Sequence, residues 1–254
     1  MRVAALYDIH GNLPALESVL AGVRQARADY IIVGGDVVPG PMPHETLATL
    51  LDLDIPTRFI HGNGDREVLA RMAGTETDWY RKAPEPWREP VRWTAEQLSS
   101  GDYRVMASWP TTCFIEIPGL GDVLFCHGTP RSDTGCFTQR TPGDRLIPLL
   151  EGLDVSMVVC GHTHMQFDRL IGGVRVVNAG SVGMPFGEPG AYWLLLDPEV
   201  QHRRTPYDLA EAAERIRRTE YPQAEGFVTH AILRPPSEET ALEMYSRQDQ
   251  EQRA

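Results

Sequence analysis

The sequence predicts an α/β protein, and two observations carry that prediction. Short apolar runs rich in Val and Ile recur through the first 200 residues, and several stop at glycine beside Asp, His or Asn. Between the first of these runs lie stretches whose apolar residues fall at helical spacing. Strand, helix, strand, helix, strand in that order implies parallel pairing through right-handed crossovers. The length of 254 residues suits one large domain, or one domain with a sizeable insertion, and 42% hydrophobic residues supply its core.

The elements follow in order. Arg2 to Asp8 is the first apolar run, and it closes in a polar knot. Residues 12–28 read as a helix: Leu13, Leu16, Val19, Leu20 and Val23 share one face, and Pro14 sits in the first turn, where a missing N–H costs nothing. Tyr30 to Val33 is the second strand, stopped by Gly34-Gly35-Asp36. Residues 44–53 read as a helix and 57–60 as the third strand, which ends at His61-Gly62-Asn63-Gly64-Asp65. Residues 66–112 break the rhythm with two short helical patterns, an Ala83-Pro84-Glu85-Pro86 interruption and four of the five tryptophans, Trp79, Trp87, Trp93 and Trp109. A helical insertion or cap is expected there. Its tryptophans either form the cap's own small core or offer a platform for a nucleobase. Strands resume at 113–117, 123–126, 155–160, 167–171, 174–178 and 191–197, and Gly172-Gly173 marks a two-residue hairpin turn. Residues 206–254 read as a polar helical extension whose last dozen residues are expected to fray. The chain from 1 to 254 is thus expected to be one domain.

Charge narrows the possible functions. With 35 acidic against 24 basic side chains the net charge is −11, which leaves no cationic surplus for a dedicated nucleic-acid binder. No apolar stretch approaches the roughly 18–20 residues that cross a bilayer. Asp8 interrupts the N-terminus before a signal-peptide apolar region is complete. The expectation is a soluble cytoplasmic protein without a membrane partner. The four cysteines show no C-x-x-C spacing, and Cys126 and Cys160 lie in apolar runs where a free thiol behaves as a small core residue.

Five strand ends carry ligand-type residues: Asp8-Ile9-His10, Gly35-Asp36, Gly62-Asn63-Gly64-Asp65, His127-Gly128 and Gly161-His162-Thr163-His164. In open α/β sheets, ligands gather beyond the carboxyl ends of the strands. Singly, such groups are ordinary turn chemistry; the five together point to a two-metal centre. Asp8, Asp36 and Asn63 supply oxygen and His10, His127, His162 and His164 supply nitrogen. That mixture suits Mn, Fe, Co, Ni or Zn and suits Ca poorly. Two ions about 3.5–4 Å apart need a bridging group, which a carboxylate provides. Such a pair acidifies water and clamps the oxygens of a displacement at phosphorus.

These motifs resemble the calcineurin-like metallophosphoesterase superfamily. The opening Asp8-Ile9-His10-Gly11-Asn12-Leu13-Pro14 and the later Asn178-Ala179-Gly180-Ser181-Val182-Gly183 are similar to its small bacterial and archaeal phosphodiesterase branch. The resemblance spans about residues 1–200 and implies a four-layer αββα sandwich of two mixed sheets with outer helices. It implies two divalent ions, with manganese the expected activator. Asp8, His10, Asp36 and His164 would hold one ion and Asp36, Asn63, His127 and His162 the other, so that Asp36 bridges. A bridging hydroxide would attack phosphorus, with Asp36, Asn63 and His127 as the central catalytic groups. Asn63 would also donate to a phosphate oxygen, and Arg131 is a further candidate for that contact. Asn12, Asp65 and His61 are expected to stand behind the ligands.

One departure is chemically specific. Much of the superfamily has histidine after the asparagine, serving the leaving oxygen, where this chain has Gly64. A missing acid favours substrates with good leaving groups. The expected function is hydrolysis of a small phosphodiester or nucleotide-like substrate. Phosphoprotein phosphatase and dinucleoside polyphosphate hydrolase are the enzymatic alternatives, and a binding scaffold on the same fold is the non-enzymatic one.

Overall fold

The computed structural model describes residues 1–251. Two five-stranded mixed sheets pack face to face, with helices on both outer surfaces. The first sheet has the order β10-β9-β1-β2-β3, built from β1 (Val3–Leu6), β2 (Tyr30–Val33), β3 (Thr57–Phe59), β9 (Ala191–Asp197) and β10 (Glu199–Thr205). Strands β1, β2 and β3 are parallel, with Leu6 opposite Val33 and Val33 opposite Phe59; β9 runs antiparallel to β1. The second sheet has the order β4-β5-β6-β8-β7, from β4 (Thr112–Ile117), β5 (Gly121–Cys126), β6 (Met157–Cys160), β7 (Phe167–Ile171) and β8 (Val174–Asn178). Here β5, β6 and β8 are parallel, with antiparallel strands at both edges.

The layering follows from side-chain alternation along each strand. On β1, Val3 and Ala5 face the other sheet, together with Tyr7, Ile32, Phe125, Val159 and Val177. Ala4 and Leu6 face outward onto α1 (Leu13–Gln25). That helix buries Leu16, Val19, Leu20 and Val23, each contributing about 1.5–3 kcal/mol of burial. On the far side Leu124, Cys126, Val158, Cys160 and Val176 meet Leu146 and Leu150 of α7 (Gly143–Leu150). Cys126 and Cys160 are therefore buried core thiols, as expected. Burial pushes both thiols up, well out of the reactive range.

Two elements correct the sequence reading. The insertion holds more helix than the two patterns expected: α3 (Asn63–Met72), α4 (Asp78–Lys82), α5 (Glu85–Gln97) and α6 (Ser100–Met106). Strand β10 was not expected, because its Glu-Val-Gln-His-Arg-Arg-Thr run has no apolar alternation; its backbone pairing with β9 makes it an edge strand. Helix α10 (Glu238–Glu251) lies in the C-terminal extension, and residues 252–254 lie outside the described residues. Ala241, Leu242 and Tyr245 in its first half pack against Cys136 and Met165. Two further helices, α8 (Leu209–Arg217) and α9 (Ala224–Phe227), complete the extension. Among the described residues no helix is long and apolar enough to cross a membrane.

Candidate metal centre

The predicted ligands all lie just past the C-terminal ends of parallel strands. β1 leads into Asp8 and His10, β2 into Asp36, β3 into Asn63, β5 into His127, and β6 into His162 and His164. Because these strands run the same way in each sheet, their ends meet at one rim of the sandwich. Six described non-glycine residues have a left-handed backbone, and five of them are Asp8, His10, Asp36, His162 and His164. Each such residue costs on the order of 1–3 kcal/mol unless its surroundings enforce it. The surroundings do: His10 N donates to Asp36 O, Asp8 N to Gly35 O, Gly183 N to Asp8 O, and Ser181 Oγ to Asp8 O at 2.7 Å.

The neighbouring glycines are sites of close approach. A Cβ on Gly62 would lie 2.1 Å from Asp36 Oδ1, one on Gly161 2.4 Å from Asp8 Oδ2, and one on Gly35 2.7 Å from His127 Nδ1. Chain packing this tight leaves room for donor atoms and for little else.

Both carboxylates are held by one oxygen and turned inward by the other. Asp8 Oδ2 accepts from His162 N at 2.9 Å, and Asp36 Oδ1 accepts from Gly64 N at 2.7 Å. Asp8 Oδ1 then lies 3.2 Å from His164 Nε2, 3.7 Å from His127 Nε2 and 3.9 Å from His10 Nε2. Asp36 Oδ2 lies 3.6 Å from His127 Nε2 and 3.8 Å from His10 Nε2. With Oδ1 committed to Gly64, Asp36 turns a single oxygen into the site.

The imidazoles are oriented in the same manner. His10 Nδ1 donates to Pro39 O, His127 Nδ1 to Gly34 O and His164 Nδ1 to Met184 O, at 3.2, 2.9 and 2.7 Å. A carbonyl only accepts, so each Nδ1 carries the proton and each Nε2 presents a lone pair inward. His10 Nε2 and His164 Nε2 face one another at 3.3 Å, and His127 Nε2 is 3.1 Å from Asn63 Oδ1. Such a convergence of lone pairs calls for a cation or a proton between them.

The donor set fits divalent cations on a further observation. Asp8 Oδ1 and His162 Nε2 are buried without any hydrogen-bond partner, an expensive state for polar atoms unless something else satisfies them. Asp8, His10 and His164, and separately Asp8, Asp36 and His127, bring their donor atoms within 4.8 Å of one another.

Without cations the protons distribute unevenly. Burial alone would lower His127, but the carboxylates of Asp36 and Asp8 push it up to about 10. Burial, reinforced by His127, takes His162 down to about 4. Burial opposes ionisation of Asp36, yet His127 and its hydrogen bond hold that carboxyl far below the usual carboxylate range.

The supporting residues divide. Asn12 Nδ2 donates to Gly183 O at 2.9 Å while its Oδ1 caps α1 by accepting from Ala15 N. Asp65 accepts from Val37 N, Val38 N and Gly62 N, tying the Asp36 loop to the start of α3. Burial and the nearby Asp36 charge raise its carboxyl to about 7. His61 stands edge-on to Trp109, with its Nε2 buried and unpartnered. The Arg131 guanidinium is given to the carbonyl of Glu151, at the end of α7.

The cation that the sequence reading passed over is Arg66 on α3, three residues beyond Asn63. It binds Asp133 with Nε at 2.7 Å and Nη2 at 3.3 Å, joining the Asn63 helix to the loop after His127. No spacing rule links positions 66 and 133; only the fold does. Asn178 was legible as part of a motif, but its task was not. Its Nδ2 donates to Gly161 O at 2.7 Å and to Thr163 Oγ1 at 3.1 Å, fixing the loop of both late histidines.

The tryptophans of the insertion divide between packed and exposed positions. Trp109 stacks on Phe59 with centroids 4.9 Å apart, Trp93 meets Tyr221 of the C-terminal extension edge-on, and Trp79 and Trp87 are exposed.

Comparison with known proteins bears on the family and the fold. Residues 1–200 match the family model of the calcineurin-like phosphoesterase superfamily domain. An uncharacterized protein of Methanocaldococcus jannaschii is 25% identical over 241 residues, which cover 87% of this chain and 94% of that one. A metallophosphoesterase from Sphaerobacter thermophilus superposes with a TM-score of 0.71 at 25% identity, over 92% of this chain and 99% of its own. A hypothetical protein from Pyrococcus horikoshii shares the fold with a TM-score of 0.79 at 19% identity, over 93% of this chain and 99% of its own.

Proposed function

The chain belongs to the calcineurin-like phosphoesterase superfamily, and from that premise we propose that it is a dinuclear metal-dependent hydrolase of small phosphodiesters or nucleotide-like phosphoesters. The observation that carries this reading is the convergence of donor atoms from Asp8, His10, Asp36, His127 and His164, with Asn63 and His162 beside His127, and with Asp8 Oδ1 and His162 Nε2 buried without a hydrogen-bond partner. Asp8, His10, Asp36 and His164 would hold one cation, and Asp36, Asn63, His127 and His162 the second. Two divalent cations there would supply an acidified water and neutralise charge developing on phosphorus-bound oxygens.

The chain's own residues do the rest. Carbonyls of Gly34, Pro39 and Met184 keep the imidazoles in one tautomer. The Asn63 amide, at the first turn of α3, can donate to a phosphate oxygen while the helix N-terminus favours the anion. Gly64 offers no side chain to the leaving group. This favours esters whose leaving groups depart without protonation, and it is the reason for preferring diesters with acidic alcohols. Manganese is the expected activator, and a small phosphorylated molecule in the cytoplasm is the expected partner. Retention of the full ligand set speaks against a scaffold that has lost its chemistry.

The test is a matrix of Mn, Fe, Co, Ni and Zn against an aryl phosphodiester, an aryl monoester, a phosphopeptide and a dinucleoside polyphosphate. Metal-dependent turnover highest on the diester supports the reading; highest turnover on the phosphopeptide or the polyphosphate replaces it with that alternative. Absence of metal binding and of turnover on all four would favour a scaffold.

A further inference from the structure

The loop 183–187 carries apolar side chains beside a site built from charges. Its conformation is fixed at both ends: Met184 O accepts from His164 Nδ1 at 2.7 Å, and Gly187 N donates to Pro236 O at 2.9 Å. Phe186 lies between, its ring centroid 6.0 Å from that of His164 and tilted by 36°. On its other side Tyr245 of α10 meets it edge-on at 6.2 Å.

Tyr245 in turn is buried, and its hydroxyl donates to His162 O at 3.3 Å. Arg140 grips Glu239 with two hydrogen bonds and fastens the start of α10 to the body of the protein. Phe186 itself is only half-buried. Phe186 packs on the cluster of Cys136, Met165, Leu242 and Tyr245, yet part of its ring is left to solvent within one ring's reach of the His164 imidazole.

We propose that Phe186, braced by Tyr245, is the specificity wall of the substrate site, stacking on a flat aromatic group such as a nucleobase attached to the phosphate. This rests on the phosphoesterase reading and adds the shape of the substrate's organic part. Tyr245 acts through Phe186 as a positioning residue. The exposed tryptophans of the insertion, Trp79 and Trp87, are not needed for it, and Trp109 has one face already covered by Phe59.

The test uses two ligands that the enzyme cannot hydrolyse: the 5′-methylenephosphonate analogues of AMP and of ribose 5-phosphate, which carry the same phosphonate and differ by adenine. Binding to the manganese-loaded full chain is measured by calorimetry. The adenine compound is expected to bind about tenfold more tightly, the scale of one stacked base. Phe186→Leu keeps the apolar volume and should erase that preference, while Phe186→Trp should keep it. Thermal unfolding of both variants shows whether they fold as the parent does. Equal binding of the two ligands by the parent, or a preference that survives in a folded Phe186→Leu, overturns the proposal. Failure of the parent to bind either ligand, with no phosphoester cleaved, would overturn the phosphoesterase reading and the wall with it. Cleavage of phosphoesters combined with equal binding overturns the wall alone.

Discussion

On the proposed ligand assignment Asp36 would serve two cations with one free oxygen, because Gly64 N–H holds the other. Asp36→Asn retains an acceptor for Gly64 but removes the charge shared by both ions. We expect metal content to fall at both sites and turnover to drop by about 10³ or more, with the fold intact; metal analysis beside circular dichroism decides it. Gly64 makes the opposite point about space. A Cβ there would lie 2.7 Å from Pro39 Cγ and 3.1 Å from Asp36 Oδ1, so the superfamily's usual histidine has no room. The obstacle is this crowding; Gly64 does not have the left-handed backbone that keeps other glycines in place. Gly64→His should therefore destabilise the protein by about 1–3 kcal/mol through overpacking, and should not rescue slow substrates. In the parent, the rate over a series of substituted aryl diesters should fall steeply as leaving-group pKa rises. A flat series would place an acid elsewhere, and a folded Gly64→His with raised activity on alkyl esters would refute the crowding argument.

At the scale of elements, the start of α3 holds several parts of the site together. Asp65 accepts three backbone N–H groups, two from the Asp36 loop and one from Gly62, so one side chain fixes two ligand loops and caps the helix. Asp65→Asn replaces one acceptor oxygen by an NH₂ that confronts a donor. About 1–3 kcal/mol of stability should be lost, and metal affinity should weaken because the Asp36 loop is released. Denaturant unfolding and metal titration measure the two effects; loss of neither would mean that the loops are held by backbone bonds alone. The sequence marked Asp65 as an orienting group because nothing in it argues for a raised carboxyl pKa; the fold supplies that rise, to about 7, through burial and the Asp36 charge. The sequence could not mark Arg66, whose partner Asp133 lies 67 positions away and is brought close only by the meeting of two sheets.

For the whole molecule, the site gathers buried donor atoms, two of them without a hydrogen-bond partner, whose burial costs stability unless something satisfies them. Ligands bound only by the native state stabilise it by mass action, about 2.7 kcal/mol at a hundredfold excess over Kd. Chelation should therefore lower Tm by roughly 5–10 °C for a chain of this size, and manganese should restore it. A Tm indifferent to chelator would argue against preformed metal sites. Protons partly substitute for the missing ions. His127, at about 10 in the folded state, lies above its ordinary value, so its stabilising contribution is complete below about pH 6.5 and is lost as pH rises towards 10. His162, at about 4, lies below its ordinary value and weakens the fold as pH falls from about 6.5 towards 4. Chelated protein should lose stability as pH rises from about 6.5 towards 10 in denaturant titrations, and His127→Gln should reduce that slope; an unchanged slope would show that His127 carries no raised proton affinity.

Local patterning was enough to determine much of this protein. Tyr30–Val33 and Val174–Asn178 were legible because β-branched runs beside glycine have few other uses, Val3–Leu6 because an apolar run stops at a polar knot, and Phe167–Ile171 because Gly172-Gly173 marks the turn after it. The ligand types were legible because each follows the end of such a run. Tertiary structure alone decided the edge strand Glu199–Thr205, whose side chains carry no pattern and whose place is set by backbone pairing with β9. It alone gave the guanidinium of Arg131 to Glu151 and set Arg66 against Asp133. It alone carried α10 back across the ligand rim, so that Tyr245 braces Phe186 beside His164. Strand ends record their chemistry in neighbouring residues, because a loop's backbone and its ligands are made from the same few positions. Contacts between distant segments leave no such record, since any of many side chains could have met there and only packing selects the pair.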